Sequence, residues 1–250
     1  FRWREREDGS FRGIIGKNIC DISQMPHGIL FHDMSKAEFE EVWYDYFDLG
    51  RNYTKLKEQF SSDPILAKAI TYAPGIRVLK QDSWEALCSF IIRQNNNIRR
   101  IAGIIERLCK TFGEPLEDGL YTFPAPEVLA SASIADLAPL RAGFRARYLL
   151  DAANKVASGQ VRLEELPGLP IEEARTELMK ITGVGVKVAE CALLYGCGRM
   201  ECFPVDVWIR RAMQHLFPDG LPACAQDCAG IAQQYIFHYV RTCPDALGGN

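Results

Sequence analysis

The sequence predicts an α+β protein: a small N-terminal antiparallel β-sheet domain followed by a mainly α-helical body. Three observations predict it. Residues 1 to about 35 alternate apolar and polar side chains between glycine breaks. From about residue 80 apolar side chains recur at helical spacing in one segment after another. Glycine, proline and capping residues divide those segments into separate helices. The division is placed at 1–78 for the sheet with its following helix and 79–250 for the helical body.

In chain order, Phe1, Trp3, Phe11, Ile14 and Ile15 fit short antiparallel strands, and Glu7-Asp8-Gly9-Ser10 suits a hairpin turn. Residues 36–58 read as helical: Ser35 can cap, and Phe39, Val42, Trp43, Tyr46 and Phe47 share a face. Asp82 with Glu85 resembles a capping box ahead of Trp84, Leu87, Phe90 and Ile91. That helix runs into Asn95-Asn96-Asn97, poor helix formers that favour local side-chain hydrogen bonds. Ile98, Ile101, Ile104, Ile105 and Leu108 make the next stripe, stopped at Gly113. Ser133 with Asp136 starts a short helix broken at Pro139, and residues 145–158 form another closed by Gly159. Residues 171–180 and 186–195 are helices on either side of a turn, with Gly196 as the stop. Asp206 can cap a helix to Phe217, and Cys224 to about Arg241 is the last.

The chain has 250 residues, 48% hydrophobic and 24% charged, which suits a sizeable globular core. No apolar run approaches about 18 residues, so no membrane-spanning helix is expected. No export signal is visible, and because the sequence begins at Phe1 a preceding segment is left open. Nine cysteines, an odd number in a long chain, are expected as reduced and buried thiols. Cys191, Cys197, Cys202, Cys224, Cys228 and Cys243 have irregular spacings, no C-x2-C pair and no nearby His, so no metal site is expected. The formal charge of −3 does not suggest nucleic acid, but local clustering, not net charge, is what binds phosphate. Basic residues gather at Arg93, Arg99 and Arg100, at Arg141, Arg145 and Arg147, and at Arg210 and Arg211. Each cluster alone would also suit a solvated face.

The most informative stretch is Leu178-Met179-Lys180-Ile181-Thr182-Gly183-Val184-Gly185-Val186-Lys187-Val188-Ala189-Glu190-Cys191. Two amphipathic helices are joined by Gly183-Val184-Gly185, which permits a tight turn and a close approach to another surface. The turn ends at a helix N-terminus, whose free N–H groups suit a phosphate. Downstream comes Phe203-Pro204-Val205-Asp206-Val207. A hairpin, a lysine in the next helix and Pro-Val-Asp at that distance resemble the helix–hairpin–helix DNA glycosylase superfamily. The resemblance implies that Lys187 and Asp206 are its two catalytic residues. Cleaving an N-glycosidic bond builds positive charge on the sugar, and a carboxylate beside it stabilises that charge. Lys187 must attack C1′ as a neutral amine. Its place in the first helical turn disfavours the cation, and partial burial would do so further. Taken singly, the two residues would read as a surface lysine and a helix-capping aspartate.

Four further stretches narrow the family. They are Phe1-Arg2-Trp3-Arg4-Glu5; Gln81-Asp82 with Phe90-Ile91-Ile92-Arg93-Gln94-Asn95-Asn96-Asn97-Ile98; Gly143-Phe144-Arg145-Ala146-Arg147-Tyr148; and Ala229-Gly230-Ile231-Ala232-Gln233 with Phe237. In order and over nearly the whole chain they resemble the 8-oxoguanine DNA glycosylase family. The resemblance implies that Asn95 fills the gap left by the extruded nucleotide, that Arg100 and Arg145 read the estranged cytosine, and that Phe144 wedges beside it. It implies that Phe237 stacks on the extruded base, that Gln233 bonds its Watson–Crick edge, and that Cys191 lies against the other face and pairs with Lys187. Their ionisations would then be coupled. The hairpin would hold phosphate, with a monovalent cation at its carbonyls as an option, and no organic cofactor is needed. The expected partner is double-stranded DNA containing oxidised guanine, with no membrane and with the protein a monomer.

Two departures stand out. The family carries a Gly just before Phe-Arg-Trp whose carbonyl discriminates oxidised guanine at N7, and that position precedes Phe1. Trp208 stands where some members carry a phosphate-contacting His. Residues 43–57 resemble bacterial members, so the expected compartment is the cytoplasm at the nucleoid, or the nucleus for a eukaryotic source. Two alternatives stand beside this reading: another glycosylase of the superfamily, and a non-catalytic DNA-binding module. The C-x6-C-x2-C-x5-C iron–sulfur loop of the endonuclease III type is absent, and the lysine that alkylpurine types lack is present.

Overall fold

Alternating side chains at the start of the chain build a four-stranded antiparallel sheet in the order β1-β2-β3-β4. The strands are β1 (Arg4–Glu5), β2 (Phe11–Ile15), β3 (Asn18–Met25) and β4 (Gly28–Phe31). The computed structural model describes residues 2–247, so Phe1, expected in the first strand, lies outside them. The predicted turn forms: the Arg6 N–H donates to Ser10 O at 2.8 Å, and Gly9 adopts φ +78°. Trp3 leaves the sheet edge and packs across it. A Cβ on Gly13 would sit 2.4 Å from the Trp3 indole, so this approach requires glycine. The indole N–H donates to the Tyr46 hydroxyl at 2.7 Å.

The helix expected over 36–58 is interrupted. Ser35 caps α1 (Lys36–Glu38), which continues through a π-helical turn (Phe39–Trp43) into α2 (Tyr44–Tyr46). The chain then breaks at the buried Asp48, held at φ +50°. Its carboxylate accepts from Arg51 Nε at 2.6 Å and from the Tyr53 hydroxyl at 3.0 Å, and these bonds outweigh helix propensity. Asn52 caps α3 (Tyr53–Phe60). Next comes α4 (Pro64–Tyr72), which the periodicity did not suggest although its start is well marked by Asp63 as cap and Pro64 as first residue.

The remaining helices are α5 (Ser83–Arg93), α6 (Ile98–Phe112), α7 (Pro126–Ala130), α8 (Arg145–Ala157), α9 (Ile171–Met179), α10 (Val186–Gly196), α11 (Val207–His215) and α12 (Ala229–Thr242). Asp82 caps α5 by accepting the Glu85 N–H, but the Glu85 side chain turns to Arg2 instead of closing a capping box. Ser133 and Asp136 exchange hydrogen bonds in a turn followed by a 3-10 segment (Ala138–Leu140), not an α-helix. Residues 223–228 are likewise 3-10 before α12 begins. Gly196 does not stop α10; it is the last helical residue, and Gly198 at φ +67° takes the left-handed position beyond it. Gly196 is glycine because a Cβ there would lie 2.8 Å from Ser83 Cα, where α10 crosses α5.

Burial divides the molecule into two cores. The smaller contains Cys20, Trp43 and Tyr46 between the sheet and α1–α2. The larger runs from Tyr53 to Leu247 and includes α3 and α4, so the packing changes over between Phe47 and Tyr53. All nine cysteines are free, five of them buried. No described helix is long and apolar enough to cross a membrane.

Candidate active site

The hairpin between α9 and α10 is shaped by one glycine and gripped by one neighbouring helix. Gly183 has φ +80°, and a Cβ on it would lie 2.3 Å from the Tyr148 ring, so both conformation and contact exclude a side chain. Gly185 has φ −98°, meets nothing within 4 Å of a built Cβ, and caps α10. Val184 between them is buried. From α8, Asp151 accepts the Thr182 N–H at 2.7 Å, while the Lys155 ammonium bonds both Asp151 at 2.9 Å and Lys180 O at 2.6 Å. The Lys180 carbonyl is therefore engaged, as is that of Ile181, which accepts from Val184 N–H. Among the described residues no cluster of three or more His, Cys, Asp or Glu could hold a metal.

Helix α10 places Lys187, Cys191 and Tyr195 one turn apart along one recess, which Asp206, Gln233 and Phe237 complete. Lys187 is exposed, so the burial expected to favour its neutral form is not present in this structure. Among the described residues its amine makes no ion pair or side-chain hydrogen bond, and it is free to meet an incoming group. Cys191 is buried, and desolvation pushes its thiol up to about 11 against the nearby charges of Arg93 and Lys187. The neighbour of Lys187 is thus a neutral thiol near neutral pH.

The segment bearing Asp206 is pinned at two points. Glu190, buried in α10, accepts the Phe203 N–H at 2.6 Å through Oε2, and its Oε1 accepts from Arg175. Gln233, buried in α12, donates through Nε2 to Pro204 O at 2.9 Å, and its Oε1 accepts from Gln234. Asp206 caps α11 by accepting the Ile209 N–H at 2.9 Å through Oδ1, which leaves Oδ2 without a partner among the described residues. Trp208, half-buried in the first turn of α11, borders the outer part of the same cleft, with Arg211 5.6 Å from its ring centroid.

Four more sequence-selected residues gather around the loop after α5, which borders the space beside Lys187. Asn95 is exposed with φ +45°, a strained position for a side-chain-bearing residue, and Asn97 caps α6. Phe144 is 50% exposed at the start of α8. Arg100 is exposed, and its guanidinium reaches Arg141 O at 3.4 Å. Arg145 is placed differently from the expectation of a free base reader. It is buried, with Nε bonded to Gln94 O at 2.7 Å, Nη2 to Asn95 O at 2.7 Å and Nη1 to Ala142 O at 3.3 Å. In this structure it anchors the Asn95 loop.

The surface around the cleft is cationic and partly apolar. None of the eight arginines in the three sequence clusters makes a salt bridge among the described residues, whereas Arg4, Arg12, Arg162 and Arg175 elsewhere do. Ile98, Val186, Val205 and Val207 are exposed at the rim. Sequence reasoning passed over Glu190, Asp151, Lys155 and Tyr148. The one legible sign was an acid inside the apolar run of α10.

Hairpin, lysine and aspartate around one recess define a base-excision DNA repair protein. Residues 88–220 match the family model for HhH-GPD superfamily base excision DNA repair proteins, and residues 1–87 match that for the 8-oxoguanine DNA glycosylase N-terminal domain. The chain is 31% identical to the "Probable N-glycosylase/DNA lyase" of Methanothermobacter thermautotrophicus, over 96% of this chain and 88% of that one. It resembles the solved structure of MBOgg1 in complex with a low-affinity DNA ligand, with TM-score 0.90 and 44% identity over 98% of this chain and 89% of the other. The Clostridium acetobutylicum 8-oxoguanine glycosylase/lyase, solved with double-stranded DNA containing cytosine opposite 8-oxoguanine, matches with TM-score 0.89 and 35% identity over the same shares. The chain belongs to the 8-oxoguanine DNA glycosylase family. Its enzyme class is bifunctional DNA N-glycosylase and DNA lyase.

Proposed function

We propose that this enzyme excises 8-oxoguanine from double-stranded DNA, preferentially opposite cytosine, through a covalent imine on Lys187. One observation carries the reading: Lys187, Cys191, Asp206, Gln233 and Phe237, from three separate helices, line a single recess. On this reading the recess widens to take the extruded purine between the Phe237 ring and the Cys191 wall, with its polar edge toward the Gln233 amide. Extrusion costs a few kcal/mol and leaves a gap and an orphan base. Asn95 and Phe144, both exposed, suit those two tasks.

The amine of Lys187 attacks C1′ as the bond from C1′ to the base breaks, and the bonding pair leaves with the base. Charge developing on the sugar is stabilised by the Asp206 carboxylate, whose Oδ2 carries no competing bond. Ring opening and loss of the amine's proton give the imine. Abstraction of a C2′ proton then expels the 3′ phosphate by β-elimination. For Arg145 to read cytosine it exchanges its bonds to Gln94 and Asn95 carbonyls for acceptors on the base's Watson–Crick edge.

The test is borohydride trapping on duplexes carrying 8-oxoguanine opposite each of the four bases. A covalent adduct forms fastest opposite cytosine, and Lys187→Gln loses the adduct while keeping duplex affinity within a few-fold. DNA binding without any adduct would remove the imine mechanism. Equal rates opposite all four bases would remove the cytosine preference alone.

A further inference from the structure

Arg93 closes α5 directly after the apolar run Phe90-Ile91-Ile92, and the cleft is built around it. It lines the recess that holds Lys187 and Asp206. It also lines the space beside Asn95 and Asn96, and the outer cleft beside Trp208. It is half-buried, yet among the described residues its guanidinium forms no salt bridge and no hydrogen bond. Its marked neighbour is the Phe90 ring, 5.7 Å from the guanidinium carbon. Its N–H donors therefore reach the recess without a protein acceptor of their own and are open to an incoming group. Arg175, also near α10, meets Glu190 and Glu172 instead.

Besides Arg93, the strong donors lining the recess are the Tyr195 hydroxyl and Lys187, and on this reading Lys187 is committed to the sugar. Asp206 and the Gln233 Oε1 are acceptors, and one Gln233 amide hydrogen is committed to Pro204 O. Cys191 offers a weak S–H donor. Guanine oxidised at C8 carries two carbonyl oxygens, O6 and O8, and therefore needs donors on two edges. We propose that Arg93 contacts the substrate, donating from its guanidinium to a carbonyl oxygen of the extruded oxidised purine, and so sets which bases are excised. This deepens the reading of the recess as a lesion pocket and rests on it. Arg93 is also the cation that most favours the Cys191 thiolate, ahead of Lys187, as expected for a guanidinium turned toward the inner wall.

The experiment compares wild type, Arg93→Met and Arg93→Lys on three duplexes with cytosine opposite: 8-oxoguanine, a natural abasic site, and the uncleavable tetrahydrofuran abasic analogue. Losing a charged donor lowers single-turnover excision of 8-oxoguanine by about 10- to 100-fold in Arg93→Met. Strand cleavage at the abasic site and affinity for the tetrahydrofuran duplex stay within about twofold, which also shows the variant is folded. Arg93→Lys recovers part of the excision rate. Equal losses on all three duplexes would assign Arg93 to a phosphate and overturn the proposal, as would undiminished excision by Arg93→Met. Absence of excision by wild type would instead overturn the lesion reading, and Arg93's role with it.

Discussion

The carboxylate of Glu190 accepts the backbone N–H of Phe203 at 2.6 Å, joining the helix that carries Lys187 to the segment that ends in Asp206. Arg175 from α9 holds the other oxygen, so three elements of the site meet at one buried acid. Glu190→Ala leaves a guanidinium and a backbone N–H unmatched, and is expected to cost about 3 kcal/mol. Glu190→Gln keeps an oxygen for Phe203 and costs less. Urea unfolding at unchanged m-value measures both, and an alanine variant within about 0.5 kcal/mol of wild type would remove Glu190 from this role.

Gly183 and Gly185 are adjacent in motif and unequal in structure. Gly183→Ala combines a left-handed φ with collision against the Tyr148 ring, and is expected to lower stability by more than about 1–2 kcal/mol and to weaken duplex binding. Gly185→Ala meets no atom and stays near wild type in stability. Adding Tyr148→Ala to Gly183→Ala relieves the collision but not the backbone strain, so recovery is partial. Thermal midpoints of the three variants and wild type decide this, and equal midpoints for the two single glycine variants would refute it.

Glu85 gives stability a distinct pH dependence. Burial pushes its carboxyl up to about 7, opposed by Arg2 and reinforced by Asp82. The folded state therefore binds this proton more tightly than the unfolded chain. Its contribution is full below about 4.5, the ordinary glutamate value, and is lost as pH rises through about 7. Glu85→Gln should match wild type at pH 4 and exceed it at pH 8. Parallel melting curves for the two proteins across that range would contradict the assignment.

Eight arginines without a salt bridge among the described residues are expected to make duplex binding salt-dependent despite the net charge of −3. The logarithm of duplex affinity should fall linearly with that of salt concentration, by about 0.9 per phosphate contacted. Arg210→Ala or Arg99→Ala should each reduce the slope by about one if it meets a phosphate. A flat profile would mean that the clusters face solvent only.

Much of this was legible because strong local signals agreed with the fold. Gly183, Lys187 and Asp206 announced themselves by spacing, and Asp206 and Asn97 cap helices as their types suggest. What was not legible depended on tertiary partners. Asp48 breaks a helix because Arg51 and Tyr53 reach its carboxylate. Gly196 follows from Ser83, more than a hundred positions away. Arg145 looked like a free base reader until the carbonyls of Gln94 and Asn95 came within its reach. No local rule could place Lys187 at the surface or leave Arg93 without a carboxylate.

The Cys191 thiol has a consequence for redox endurance. Oxidants attack thiolates, and at about 11 this thiol is ionised in fewer than about one molecule in a thousand near neutral pH. Cys20, Cys88, Cys109, Cys197, Cys202 and Cys228 are likewise pushed upward by burial. Peroxide that oxidises guanine in DNA would meet few reactive sulfurs here. A repair enzyme working under oxidative stress would keep its own pocket chemically intact by keeping its sulfur protonated.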